Sequence, residues 1–467
     1  MARYKVATSL GAWAAALLLA APAEAQLRLP SIFGSHMVLQ QRTQVPFWGW
    51  AAPSEEVRVL ASWAPEPLVA KTSAQTARWQ VVLDVPEAGG PHSLRVEAGS
   101  ARLLLEDVMT GEVWFASGQS NMEWTPNAGI DNAEAEIASA GRPGIRFFTV
   151  PKATADTPQV SCPGQWSVST PETMRQFSAV GYFFARRLEE ALHIPVGVVS
   201  SSWGGSPIET WMRPDLVLTD PVLAKEAAEN NPTWSPIKPG AAYHAMVAPW
   251  LGFPIAGALW YQGEANVGHP GTYAALMERL ILGWRADWSR DFPFYFVQIA
   301  PFRYGEHDRA ARLREQQQRA LGIPRTGMVV TGDIASDPSD IHPKNKQDVG
   351  LRLANLALSD PYRLAGVVAK SPMYASHTVE KGRVRVSFLN AEGGLTLKGK
   401  VMGGLLVAGA DQRFVPALGT IEGATLVVWS KAVKDPVAVR YAFSSDATLS
   451  LFGPAGLPVA PFRTDGW

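Results

Sequence analysis

Residues 113–124 read Val113-Trp114-Phe115-Ala116-Ser117-Gly118-Gln119-Ser120-Asn121-Met122-Glu123-Trp124. Four apolar residues followed by a small polar turn predict a buried strand that runs into a loop and then a helix. Gly118 lets the chain turn where a Cβ would clash. Ser120 falls where the free N–H groups of a helix start collect. A hydroxyl there is set for nucleophilic attack, with donors at hand for the negative charge that grows on an attacked carbonyl. A plainer reading stands beside this one: Ser120 and Glu123 also fit the S-x-x-E pattern of a helix capping box.

The pattern on either side sets the fold class. From about 106 onward, strands alternate with helices. Residues 177–192 have helical periodicity, 194–202 form a buried apolar run, and a helix is expected near 272–286. A strand at 292–300, a helix at 309–321, a strand at 327–334 and a helix at 344–358 follow. This alternation predicts an α/β domain with a parallel sheet flanked by helices. Residues 26–105 instead show short apolar runs broken by turn residues, the pattern of a β-sandwich-like N-terminal module. Short strand patterns return over 362–467, a C-terminal β-rich module. The catalytic domain is therefore expected over 106–361.

The first 25 residues read as a secretory signal peptide. Arg3 and Lys5 precede an apolar stretch from Val6 to Ala21, and Ala23-Glu24-Ala25 offers a cleavage site before Gln26. The stretch is short for a membrane span and no second one follows, so a periplasmic or secreted protein without a membrane span is expected.

Composition narrows the classes further. A chain of 467 residues suggests two or three domains, and 47% hydrophobic against 18% charged residues describes a well-packed globular protein. Zero formal charge and no basic run argue against nucleic acid as a partner. The 17 tryptophans suit both a core and the stacking platforms of a carbohydrate site. Cys162 is the only cysteine, which excludes an internal disulfide and thiolate metal sites, and reads as a bystander thiol.

Sites in parallel sheets form beyond the carboxyl ends of the strands. Four such ends carry chemistry here: Ser120, then Trp203-Gly204-Gly205-Ser206, then Gly263-Glu264-Ala265-Asn266, then Asp340-Ile341-His342-Pro343. His342 titrates near neutrality and can take the Ser120 proton. Asp340 can orient the imidazole. The N–H groups of Ser120 and of Gly204 or Gly205, with the Asn266 amide, can hold an oxyanion; one such donor is typically worth about 3 kcal/mol. Each has a structural reading too: a tight turn for the glycines, a helix cap for Asn266 and Asp340, a solvent-facing loop for His342. Their co-occurrence at successive strand ends points to serine ester hydrolysis.

These segments resemble the SGNH (GDSL-type) hydrolases, and among them the sialate O-acetylesterase-like carbohydrate esterases. GQSNMEW resembles the block that holds the nucleophile, Ser120 here. SSWGGSPIETW resembles the block whose backbone serves the oxyanion, at Gly204 and Gly205. WYQGEAN resembles the third block, with Gly263 and the donor Asn266. SDIHPKNKQDVGLRLA resembles the block of the base, His342. The segments IFGSHMVLQQ and GLPVAPFRTD carry the likeness to both ends of the mature chain. The resemblance implies an SGNH-type parallel sheet and removal of O-acetyl groups from a carbohydrate, sialate or a hemicellulose such as xylan or xyloglucan, through an acetyl-serine. No metal or organic cofactor is needed.

One position departs from the pattern. The family's acid lies three residues before the histidine, where this chain has Ser339. Asp340 is the candidate, Asp337 and Asp333 are alternatives, and a Ser–His dyad is open. Gln119, Gln262, Glu264 and Trp203 are candidate substrate contacts. The rival class is a non-catalytic carbohydrate-binding protein.

Overall fold

Strand Ala101–Gly118, 18 residues long, organises the molecule. It belongs to a computed structural model that describes residues 27–230 and 235–467; the expected signal peptide, 1–25, lies outside the described residues. The first half of the strand pairs antiparallel with Gly89–Ala98, and its second half pairs parallel with strands on both sides. The boundary expected at 105/106 therefore falls inside one continuous strand. Half-exposed alternation gives way to unbroken burial along it, because its second half is covered on both faces.

We label the six parallel strands of the central sheet β1 to β6: Ala101–Gly118, Arg142–Thr149, Val196–Ser202, Gly257–Tyr261, Phe294–Val297 and Thr326–Val329. Their order is β2-β3-β1-β4-β5-β6, with Trp166–Ser169 added antiparallel at the β2 edge. From β1 the chain passes to β2, returns to lay β3 between the two, then crosses to β4 on the other side of β1. A crevice at such a switch point is where ligands of open α/β sheets bind. Ser202 and Tyr261 both lie in register with Gly118. The three loops that follow β1, β3 and β4 thus leave the sheet at the same level.

Alternation along β1 sends its side chains to two cores. Trp114 and Ala116 pack with helices Ala179–Leu192 and Lys346–Ser359. Val113 and Phe115 face the other layer, where Phe115 meets Trp284 of helix Tyr273–Asp287 at 5.6 Å. Trp114, Trp211, Trp250, Trp260 and Trp284 are fully buried, so packing accounts for much of the tryptophan content. Truncating a buried ring of this kind costs about 3–5 kcal/mol.

The N-terminal module pairs Thr43–Trp50 with Arg78–Val85, and sets Glu56–Ala61 between Leu68–Lys71 and Gly89–Ala98. The C-terminal module has two four-stranded antiparallel sheets. It docks on helix Arg309–Arg319, where Arg463 grips Glu315 at 2.9 and 3.0 Å and Gln318 donates to Pro461 O at 2.7 Å.

Candidate active site

Gly118 has φ +136°, and a Cβ there would lie 2.2 Å from Tyr261 O. Only glycine lets the chain turn this close to β4. Ser120 begins the short helix Ser120–Glu123, whose cap residue Gln119 makes no side-chain cap bond. The capping-box reading does not hold. Glu123 accepts instead from the Gly204 N–H at 2.7 Å and from Lys152 Nζ at 2.5 Å.

Ser120 Oγ and His342 Nε2 stand 2.8 Å apart, across 222 residues of chain. Trp124 stacks on the imidazole, with centroids 4.1 Å apart and planes at 19°. Burial lowers the His342 pKa, the Lys346 charge lowers it further, and Asp340 opposes both. The neutral imidazole that results is the form able to accept a proton.

The candidate acids differ in placement. Asp340 Oδ1 accepts from the backbone N–H of His342 at 2.8 Å and lies 4.0 Å from Nδ1, beyond hydrogen-bond reach. Asp333 is paired with Arg352 at 2.8 and 2.6 Å. Asp337 is exposed and closes a turn on Ser339. Asp340 is thus the carboxylate beside the ring, as a neighbouring charge without a hydrogen bond to it.

The oxyanion candidates also sort. The Gly204 N–H is occupied by Glu123, although Gly204 is tight against the serine: a Cβ there would lie 3.3 Å from Ser120 Cβ. The Asn266 amide is turned to the buried carboxyl of Glu209, at 3.0 and 3.2 Å. Its oxygen accepts from the Ile208 N–H at 3.0 Å and from Gln262 Nε2 at 2.7 Å. Asn266 therefore ties the loop after β4 to the segment after β3, with both contacts of its amide nitrogen made to the one Glu209 carboxyl. The N–H groups of Ser120 and Gly205 meet no acceptor among the described residues.

Three of the four expected substrate contacts are buried braces. Gln119 Oε1 accepts from the Gly263 and Ala265 N–H groups at 3.3 and 3.2 Å. Gln262 has no exposed surface and bonds to Ser206 O and Asn266. Glu264 accepts from Asn121 Nδ2 at 2.6 Å. Trp203 is half-buried, with Lys152 Nζ 6.0 Å from its ring.

Sequence reasoning missed Asn121, Trp124 and Lys346. Lys346 is fully buried, and burial pushes its pKa down to about 7. Adjacency was the available signal, since Asn121 follows Ser120 directly and Lys346 opens the helix that follows the His342 loop. Cys162 is buried with its thiol pushed up to about 11, which leaves it protonated and unreactive at neutral pH. Among the described residues no three His, Cys, Asp or Glu side chains converge to hold a metal ion. None of the described helices is long and apolar enough to cross a membrane.

A hydroxyl held against an imidazole at the switch point of a parallel sheet is the equipment of an ester hydrolase, and comparison with known proteins makes the class specific. The chain belongs to the sialic acid-specific acetylesterase family of carbohydrate esterases, matched over residues 110–359. It is 30% identical to the sialate O-acetylesterases of Homo sapiens and Pongo abelii over 363 residues, covering 70% of this chain and 69% of each relative. It also superposes on the crystal structure of a carbohydrate acetylesterase from Xanthomonas citri with a TM-score of 0.87 and 37% identity, over 94% of this chain and all of that one. The protein is accordingly a carboxylic ester hydrolase that removes O-acetyl groups from carbohydrates, not a non-catalytic binding module.

Proposed function

We propose that the hydrolysis proceeds through an acetyl-serine. Ser120 Oγ attacks the acetyl carbonyl while its proton passes to His342 Nε2. The tetrahedral oxyanion is met by the Ser120 and Gly205 N–H groups. Collapse expels the sugar hydroxyl, which leaves with the proton from His342. Water then attacks the acetyl-enzyme, His342 takes its proton, and acetate departs as Ser120 Oγ is reprotonated. Trp124 keeps the ring plane, and Asp340 stabilises the imidazolium across 4.0 Å. At that distance a unit-charge pair is worth about 1 kcal/mol in water and about 4 kcal/mol near a protein surface. The observation that carries the reading is the 2.8 Å contact of Ser120 with His342. A fluorophosphonate probe tests it: the wild type is labelled at Ser120, and equal labelling of Ser120→Ala contradicts the mechanism.

For the substrate we propose an acetylated neutral polysaccharide of the hemicellulose type. Trp203 offers an aromatic surface beside the serine loop, and the cation next to it, Lys152, is already neutralised by Glu123. A sialate carboxylate calls for an uncommitted cation. Acetate release from acetylated xylan or xyloglucan, set beside release from O-acetyl sialate, decides between them. Residues 1–25 direct export, on this reading, with a mature chain starting at Gln26; amino-terminal sequencing of the exported protein checks it.

A further inference from the structure

Beneath the Ser120–His342 pair runs a buried polar chain that the mechanism above does not use. Lys346 Nζ donates to Asn121 Oδ1 at 2.6 Å. Asn121 Nδ2 donates to Glu264 Oε1 at 2.6 Å and to Ile341 O at 3.0 Å. The rings of Tyr261 and Trp124 lie 5.6 and 5.9 Å from the ammonium. Asn121 is the residue directly after the nucleophile, and Ile341 is the residue directly before the base. One carboxamide therefore spans the backbone of both reacting residues, and a fully buried lysine fixes that carboxamide.

A purely structural role explains this poorly. Lysine is almost never fully buried, and apolar residues of similar volume usually fill such a site at no loss of stability. Here the ammonium has one oxygen acceptor, and Glu264 Oε2 has no partner among the described residues. The arrangement is expensive for the fold and aimed at the reacting pair.

We propose that Lys346 is a positioning residue for the reaction, which through Asn121 holds the Ser120 and His342 segments at hydrogen-bond distance. Its charge has a second effect. The ionisable groups facing His342 are Lys346 from the helix and Asp340 from its own loop, while Glu264, from the loop after β4, faces Lys346 across Asn121. Lys346 lowers the His342 pKa and Asp340 raises it. Lys346 itself, held at about 7 by burial against the opposing effects of Glu264 and Asp340, is protonated below that pH. It is therefore charged while a histidine lowered from 6.5 titrates. A neutral side chain at 346 removes one lowering influence, so the His342 midpoint rises.

The inference rests on Ser120 and His342 being nucleophile and base. The test uses Lys346→Met and Lys346→Gln in the full chain, with 4-nitrophenyl acetate as substrate and kcat/KM followed across pH. In both variants the midpoint of the acid limb moves to higher pH. At the plateau kcat falls about tenfold or more in Lys346→Met with KM little changed, the cost of a misplaced pair. Lys346→Gln, whose amide can still donate to Asn121, keeps more of kcat. An acid limb at the wild-type position in both variants overturns the inference, as does an unchanged plateau in Lys346→Met. If neither variant folds, the lysine is structural and the inference is equally overturned. Loss of the Ser–His reading would show separately, as undiminished turnover by Ser120→Ala.

Discussion

Trp124 and His342 lie face to face, with ring centroids 4.1 Å apart. Trp124 ends the helical turn that Ser120 begins, so the nucleophile's own turn supplies the surface that holds the base. Asp340 does not hydrogen-bond Nδ1 in this arrangement. Ring orientation falls to stacking. Trp124→Leu is expected to lower kcat about 10- to 100-fold with little change in KM, since small displacements of a reacting group cost that much. Steady-state kinetics on an acetyl ester checks it, and an unchanged kcat would show that the ring is oriented by something else.

The His342 pKa is lowered from 6.5, chiefly by burial. The imidazole must be neutral to accept the Ser120 proton, so activity is lost as pH falls through the lowered folded value. The acid limb of kcat/KM is expected to have its midpoint below 6.5. A midpoint above it would mean that Asp340 outweighs burial and Lys346.

Lys346 carries a linkage with a definite sign. Its pKa is 10.5 when exposed and about 7 when folded. Between those values the unfolded chain binds more protons, so this group's contribution to stability rises with pH. Below about 7 both states are protonated and the cost of burying the charge is fully present. Urea unfolding of wild type and Lys346→Met from pH 7 to 9 is expected to show the wild type gaining on the variant. A difference independent of pH would place the lysine in contact with water.

Glu123 binds the loop after β3 through the Gly204 N–H and is paired with Lys152. A hydrogen bond to a charged group is worth about 1.5–3 kcal/mol. Glu123→Ala is expected to lower kcat/KM by roughly an order of magnitude by releasing that loop, and to leave fluorophosphonate labelling of Ser120 in place. Loss of labelling would mean that Glu123 acts on the nucleophile itself.

The parallel sheet was legible because apolar strand runs and helical periods alternate plainly from Val113 to Leu358. Ser120 and His342 were legible as a pair because Ser120 lies just past β1 and His342 lies in the loop that leads from β6 to the next helix. Roles that depend on what a neighbouring segment donates were not. Nothing local to Asn266 shows that Glu209 takes its amide, and nothing local to Gly204 shows that Glu123 takes its N–H. Lys346 reads as an exposed lysine in the first turn of a helix; its burial comes from Trp124 and Tyr261, distant in sequence. The continuity of the strand across 105/106 was not legible, because Leu103-Leu104-Leu105 reads as the end of one short run and nothing local shows that it carries on into the next sheet.

The central claim is that the hydroxyl of Ser120 carries the acetyl group. Acetate released from an acetylated glycan by Ser120→Ala, measured beside the wild type with both shown to be folded, tests it most directly. The account predicts that the variant loses at least about a thousandfold in kcat. Turnover by the variant at the wild-type rate would contradict it.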